Sequence, residues 1–374
     1  MTHNTAPSTR RWNQLSAAQK SAIVAAGTVQ VGLFAAAWWD LNRRQPEQLN
    51  GSKAAWRAGL FLNTVGPLSY FAAGRKTSDW TEADMPSQTG RVAIVTGANS
   101  GLGFETARAL AQHGATVILA CRNLQKAEAA AIHILATDPP GRVEVMALDL
   151  GDLDSVRAFA AQFTSGHGTL DLLVNNAGIM VPPQGETTQG FETQFGVNHL
   201  GHFALTAQLI DLLNATPGAR VVTLSSIAHR FGHIEFDDLN WTSRAYRPMP
   251  AYGQSKLANL LFTHELQRRL QAAGHPTLAV AAHPGYAATG LQGEGGNDGL
   301  MGLFAQTAAM GALPTLYAAT APGVRGAEFF GPSGVAEIAG HPQLVRSNAR
   351  ANDRETARRL WTVSEQLTGV AFPV

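Results

Sequence analysis

The chain has one cysteine, Cys121, among 374 residues. No intramolecular disulfide is possible, and a lone thiol suits a reducing compartment. Charge is scarce as well: Asp, Glu, Lys and Arg make up 15% of the chain, against about a quarter in a typical soluble domain. A net charge of +1 and the lack of any Lys/Arg run leave no basic patch for nucleic acid. The twelve histidines are scattered and no Cys/His cluster has metal-ligand spacing, so no metal centre is expected. Glycine, by contrast, is abundant at 38 residues. The length allows one large α/β domain with an appendage.

From Ser21 to Trp39 no charged residue occurs, and such a stretch approaches the roughly 20 residues that cross a bilayer as a helix. Trp38 and Trp39 end it, as amphipathic anchors at a membrane interface would. A second uncharged stretch runs from Ala58 to Ala73 and contains Asn63, Gly66 and Pro67. Together they predict a membrane-anchoring helical hairpin within residues 1–76, then a polar linker over 77–90. A cleaved signal peptide fits poorly, because the polar leader is long and no small-residue cleavage pattern follows. Soluble helices packed on the following domain remain an alternative, since the composition is rich in alanine. Arg10, Arg11, Lys20, Arg75 and Lys76 flank one side of the expected hairpin and Arg43, Arg44, Lys53 and Arg57 the other, so charge does not orient it. Through Ala37-Trp38-Trp39-Asp40-Leu41, Gly51-Ser52-Lys53 and Gly66-Pro67-Leu68-Ser69-Tyr70-Phe71, this region resembles the two-helix membrane module of bacterial cardiolipin-synthase-like proteins.

From residue 91 the pattern changes. Apolar, β-branched strand candidates at 91–96, 115–121, 142–148, 170–175, 219–225 and 278–283 alternate with helical patterns at 102–113, 123–136, 153–164, 199–214 and 252–273. Such alternation implies a parallel sheet covered on both faces, a doubly wound α/β fold. Ligands in these sheets bind beyond the carboxyl ends of the strands, which directs attention to the residues there.

The first strand ends at Thr96, and Gly97, Gly101 and Gly103 follow before a helix begins. Glycines allow a sharp turn and close approach of a ligand, and the unpaired N–H groups of a helix start face a phosphate. After the second strand, many dinucleotide-binding folds carry a carboxylate for the ribose 2′-hydroxyl; here Arg122 stands instead. A guanidinium matches a 2′-phosphate, which favours NADP(H) over NAD(H); a solvated loop arginine is the alternative. Asp149-Leu150 follow the third strand, where a carboxylate can accept from an adenine amine. Asn175, Asn176, Ala177 and Gly178 follow the fourth; small residues let a nucleotide lie against the backbone, and the asparagines can tie strand ends together. Asn198 precedes a helix and reads alone as an N-cap. Ser225 and Ser226 end the fifth strand. Tyr252 and Lys256 lie four apart, on one helix face.

Taken together, Thr96 to Gly103 (including Asn99, Ser100 and Leu102), Ala120-Cys121-Arg122-Asn123, Asn175 to Gly178, Val197 to Phe203, Ser225-Ser226, Ala251 to Asn259 and His283-Pro284-Gly285 resemble the short-chain dehydrogenase/reductase family, in its retinol-dehydrogenase-like branch. The tail from Leu360 to Val370 is similar to that branch too. The resemblance covers nearly all of residues 91–374 and implies a Rossmann-type catalytic domain. It implies a catalytic set of Asn198, Ser226, Tyr252 and Lys256, with Ser225 the weaker choice of serine. It implies that hydride is to pass between the nicotinamide and a carbonyl or alcohol carbon, with Tyr252 moving the proton. A nearby Lys256 ammonium is expected to lower the Tyr252 pKa from its usual value of about 10 and to bind the nicotinamide ribose. Ser226 orients the substrate oxygen, Asn198 holds a water linking Lys256 to solvent, and Pro284, Gly285 and Thr289 contact the nicotinamide end. Residues 291–312 combine glycine hinges with apolar residues and resemble the family's substrate lid, which suits a lipophilic substrate; a surface helix packed on the core is the alternative.

The leading expectation is therefore a membrane-tethered oxidoreductase with its catalytic domain in the cytoplasm. A catalytically silent nucleotide-binding sensor or scaffold is the competing one, and the intact Tyr252/Lys256 pair argues against it. Oligomerisation stays open.

Overall fold

The computed structural model describes residues 12–44, 46, 49–75, 80–287 and 306–373. It divides into two compact units, Met1–Thr77 and Ser78–Val374.

In the first unit, Ser16 and Gln19 form a reciprocal capping box that opens helix α1, Ala17–Arg43. This helix is long and apolar enough to cross a membrane, and it is almost entirely uncovered along its apolar window. The second apolar stretch does not form another such helix. It breaks into α2, Lys53–Gly59, and α3, Val65–Ser69, followed by a π-helical turn over Tyr70–Gly74. The expected pair of long apolar helices is thus corrected to one among the described residues. The reason lies in Asn63 and Pro67. A continuous helix would drive the Pro67 ring against the carbonyl four residues back, that of Asn63. Asn63 instead turns into the left-handed region (φ 51°), and Pro67 falls in the first turn of α3, where no N–H is needed. The broken segment folds back on the end of α1, burying Ala37, Leu41, Leu60 and Tyr70. Phe61 reaches Trp38 and Phe34, with ring centroids 6.1 and 5.2 Å apart. Arg75 comes within 3.6 Å of Asp40, which also binds Arg44 and the Tyr70 hydroxyl.

The second unit is a doubly wound sheet. In chain order it comprises β1 Val92–Thr96, α4 Gly101–Gln112, β2 Thr116–Cys121, α5 Leu124–Leu135, β3 Arg142–Ala147, α6 Leu153–Gly166, β4 Leu172–Asn175, α7 Thr193–Phe195, α8 Gly201–Ala215, β5 Arg220–Leu224, α9 Pro248–Ala272, β6 Leu278–Ala282, α10 Ala308–Thr320, β7 Phe329–Pro332, β8 Pro342–Leu344 and α11 Arg354–Thr368. The strand order is β3-β2-β1-β4-β5-β6-β7-β8, all parallel except the β7–β8 pair. All six expected strands form, within two residues of their expected ends. The strands from β2 to β6 across the sheet read as apolar runs because both faces are covered, whereas β3, at the edge, alternates with Arg142 and Glu144. Along β1, Ile94 joins Phe159, Leu173 and Phe203 on one face, while Ala93 and Val95 join Leu110, Leu172 and Leu316 on the other. The crossover reverses direction between β1 and its neighbours β2 and β4, and the crevice at their carboxyl ends is where this architecture places a ligand.

Two expectations change at the edges of this unit. From Trp80 onward, the stretch expected as a linker is packed on the domain. Trp80 lies edge-on to Tyr317, Glu82 holds Arg108 through two hydrogen bonds, and Met85 and Gln88 are buried. Residues 291–305 of the expected lid lie outside the described residues, as does Thr289. The described end of that stretch belongs to α10, whose Gly311, Ala312 and Leu313 are buried in the core; there the packed-helix alternative holds.

Candidate active site

The turn after β1 is built by glycine. Gly97 and Gly101 take φ values of 66° and 56°, which side chains adopt poorly. A methyl on Gly103 would lie 2.4 Å from the Gly97 carbonyl oxygen and 2.5 Å from Asn176 Nδ2, so only glycine lets α4 start so close to β4. Ser100 precedes α4 in an extended conformation and makes no side-chain cap. The first N–H groups of the helix are left to whatever enters the crevice.

A cleft of about 230 Å³ opens there. The structure brings together along it Gly97, Asn99, Ser100, Gly101, Leu102, Gly103, Arg122, Asp149, Leu150, Asn176, Ala177 and Gly178, the twelve residues expected from the first four strand ends. Arg122 is exposed at the end of β2 and has no carboxylate partner among the described residues. Asp149 Oδ1 accepts from the Gly151 amide at 2.9 Å, which fixes the turn after β3. Cys121 also lines the cleft, and burial pushes its thiol up to about 11, so it is an inert wall rather than a nucleophile.

Sequence reasoning gave no role to Thr96 and His202, and the structure makes them the stitch between β1 and β4. Thr96 Oγ1 accepts from the Asn176 and Ala177 amides at 3.0 and 2.9 Å and meets His202 Nε2 at 2.9 Å. Asn176 Nδ2 donates to the Thr96 carbonyl at 2.8 Å, and Asn175 Nδ2 to Thr206 Oγ1 at 3.0 Å. Asn176 therefore ties the ends of β1 and β4, whereas Asn175 ties β4 to α8. Burial drives the His202 imidazole down to about 4, so it is neutral. The available signal was the placement of a threonine and a histidine on facing elements, which is visible only once β1 and α8 are known to meet.

The second half of the site comes from β5 and α9. Ser226 follows β5 and its Oγ accepts from the Ala228 amide at 3.2 Å; the same hydroxyl lies near the Tyr252 phenol and favours its charged form. Ser225 points elsewhere, donating to the Lys256 carbonyl at 2.8 Å. Lys256 Nζ donates to the Leu224 carbonyl at 3.2 Å and lies 5.6 Å from the Tyr252 ring centroid.

Asn198 sits in a π-helical turn, Gly196–Leu200, between α7 and α8, so the N-cap reading does not apply. A π turn adds a residue to the helical repeat and re-aims side chains, as happens at functional sites. Asn198 Oδ1 accepts from the Ile179 amide at 2.9 Å, and Nδ2 donates to the Ile179 carbonyl at 3.0 Å and to Ser255 Oγ at 2.9 Å. A methyl on Gly178 would lie 3.3 Å from both Asn198 Oδ1 and Lys256 Nζ. The cleft and the Tyr252/Lys256 pair therefore meet at Gly178.

Pro284 and Gly285 leave β6 on the far side. Gly285 has φ 71°, and a methyl there would meet the Ile338 carbonyl oxygen at 2.2 Å. They do not line the cleft itself but flank its end through Leu102 and Gly311, with Pro284 Cβ 3.6 Å from the position of a methyl on Gly311.

Electrostatics depart from expectation. Burial pushes the Tyr252 phenol up to about 12, against the lowering effect of the Ser226 hydroxyl. Burial pushes Lys256 down to about 8. Desolvation is the largest cause at both groups, because each charged form is starved of water.

A sequence model of the short chain dehydrogenase family matches residues 91–298. Human retinol dehydrogenase 13 is 44% identical over 297 residues, covering 76% of this chain and 86% of that protein. Mouse retinol dehydrogenase 12 is 42% identical, covering 84% and 95%. Among solved structures, an uncharacterized protein from Mycobacterium paratuberculosis is 51% identical with a TM-score of 0.68, over 79% of this chain and 100% of that one. A short chain dehydrogenase from Shigella flexneri complexed with NADP is 26% identical with a TM-score of 0.52, over 65% and 95%. A cleft at the glycine turn, ending where Asn198, Ser226, Tyr252 and Lys256 converge, is thus carried by a chain that belongs to the short-chain dehydrogenase family.

Proposed function

We propose that the protein transfers hydride between NADP(H) and a lipophilic carbonyl or alcohol, and that it does so from a membrane anchor. The observation that carries the reading is the junction at Gly178, where a nucleotide-sized cleft runs into the Tyr252/Lys256 pair. The cradle fits a dinucleotide: Gly97 and Gly103 let the turn after β1 close against the β4 loop, and a side chain at Gly178 would crowd Asn198 and Lys256 at the end of the cleft. Arg122, without a carboxylate partner, supports the 2′-phosphate and hence NADP(H) over NAD(H).

The nicotinamide, when bound, supplies the hydride. Tyr252 holds the proton that the carbonyl oxygen receives in reduction. A phenol raised to about 12 keeps that proton at neutral pH until charge develops on the substrate oxygen. Ser226, beside the same phenol, shares the substrate oxygen and fixes its direction. The Lys256 ammonium offsets the phenolate left behind. Asn198 clamps the β4 loop to α9 through Ile179 and Ser255; the remaining lone pair of Oδ1, beside Lys256, is where a water joins the proton path.

A lipophilic substrate is supported by three exposed apolar side chains on the segments that carry the site. Phe231 follows Ser226, Met249 precedes Tyr252, and Val181 follows Gly178. The relatives' names point to the same class, a long polyene alcohol. In the first unit, a single crossing by α1 would place Arg43, Arg44, Lys53, Arg57 and Arg75 after it in sequence, against Arg10, Arg11 and Lys20 before it. Excess Lys and Arg mark the cytoplasmic side, so this end and the domain that follows face the cytoplasm. The test is a screen of the full-length protein in detergent against retinaldehyde, aliphatic aldehydes, ketones and the matching alcohols, with both nucleotides. Nucleotide binding without turnover of any of them would replace this reading with a silent sensor.

A further inference from the structure

Beneath the two loops that bracket the reacting end lies a buried charge chain. Glu337 Oε2 accepts from Arg230 Nη2 at 2.6 Å and from His283 Nε2 at 3.0 Å. The three side chains are 9%, 15% and 0% exposed, respectively. His283 Nδ1 accepts from the Gly285 amide at 3.2 Å, so the imidazole proton is on Nε2 and is donated to Glu337. Arg230 ends the turn that begins at Ser226, and within that turn His229 Nδ1 donates to the Ser226 carbonyl at 2.6 Å.

The segment that delivers Glu337 is distorted. Ala336 and Glu337 are consecutive non-glycine residues with φ values of 53° and 62°. Such a pair persists only where the surroundings over-determine it, and such sites cluster at functional positions. The next carbonyl, that of Ile338, accepts from the Tyr286 amide at 2.7 Å and packs against Gly285. One carboxylate therefore holds both the Ser226 turn and the Gly285 loop, although neither loop is its neighbour in sequence.

We propose that Glu337 is a positioning residue of the hydride-transfer site, which sets Ser226 and the Pro284–Gly285 loop in register through Arg230 and His283. The proposal rests on the oxidoreductase reading for its catalytic consequence, but the mechanical coupling stands apart from it. A purely local role, stapling the β7–β8 connection, is the alternative.

The experiment uses the full-length protein and its Glu337→Gln variant, which keeps the shape and removes the charge. Hydrogen exchange measured by mass spectrometry is expected to rise together in residues 226–232 and 283–287, while β5 and β6 stay protected. With NADPH and retinaldehyde, kcat is expected to fall about tenfold or more, as misplacement of reacting groups does, while the NADPH Kd stays within about twofold. Arg230→Lys, which keeps the cation, should retain most of kcat; Arg230→Gln should match Glu337→Gln, and the double variant should be no worse. Exchange that rises only within 334–341, or a kcat unchanged by Glu337→Gln, overturns the proposal. Wild-type protein that reduces no carbonyl would sink the oxidoreductase reading alone, because the exchange comparison still decides the coupling.

Discussion

The Tyr252 phenol lies close enough to the Ser226 hydroxyl for that hydroxyl to favour its charged form, which brings the second turn of α9 and the residues after β5 to one point. Two neighbouring hydroxyls can share a substrate oxygen, and that oxygen then receives one proton donor and one orienting donor. Replacing Tyr252 by Phe removes only the transferable proton. Turnover should fall by about a hundredfold or more, the range of a positioned general acid, while NADPH binding measured by fluorescence stays unchanged. A variant that keeps more than a tenth of the wild-type rate would remove Tyr252 from this role.

Lys256 is 4% exposed, and burial takes its ammonium down to about 8 from an unfolded value near 10.5. A lysine whose native pKa is lowered binds fewer protons folded than unfolded, so it costs stability below pH 8, and that cost fades between pH 8 and about 10.5. Lys256→Met should therefore raise the Tm of the nucleotide-free protein at pH 7 by a few degrees, with the gain shrinking above pH 8, while turnover is lost. The same lowered pKa predicts that carbonyl reduction by the wild type weakens as pH rises through about 8. Calorimetry across pH 6.5–10 and a pH–rate profile check both; a Tm that falls at pH 7 would contradict the assigned cost.

Arg122 reads the 2′-phosphate if the cleft takes NADP(H). Arg122→Ala should weaken NADPH by about tenfold or more, the value of a charge-assisted hydrogen bond, and leave NADH within about twofold. Titration of both nucleotides decides this, since equal losses would mean that the guanidinium touches something common to the two.

The parts of this fold that could be read from sequence are those in which local pattern and tertiary context agree. Five of the six expected strands are apolar runs because both faces are covered, β3 being the exposed edge, and the glycine turn announces itself by spacing. The parts that could not be read have one feature in common: a partner distant in sequence decides them. β7 and β8 are four and three residues long and contain Pro332 and Pro342, so neither shows a strand pattern without β6 beside it. The π turn around Asn198 reads as ordinary helix until Ile179 and Ser255 claim the side chain. The second apolar stretch has the composition of a membrane helix, and the steric conflict of Pro67 with Asn63 decides otherwise. Glu337 carries no motif, because its importance lies in Arg230 and His283.

The last prediction concerns where the catalytic unit begins. If α1 holds the protein on a bilayer, full-length protein should stay with membranes through an alkaline wash, and a chain starting at Ser78 should be soluble and active on small aldehydes, because every proposed catalytic residue lies in the second unit. Full-length protein found in the soluble fraction without detergent would mean that α1 is covered by protein instead. A chain starting at Arg91 should behave differently from both. It loses the Trp80 contact with Tyr317, the Glu82 pair with Arg108, and the buried Met85 and Gln88. Loss of that apolar cover amounts to roughly 3 to 5 kcal/mol, or on the order of 10 °C in Tm for a domain of this size. The surface pair adds little to that figure. Thermal melts of the two truncations, taken side by side, separate an idle linker from a structural part of the domain: equal Tm values would restore the linker.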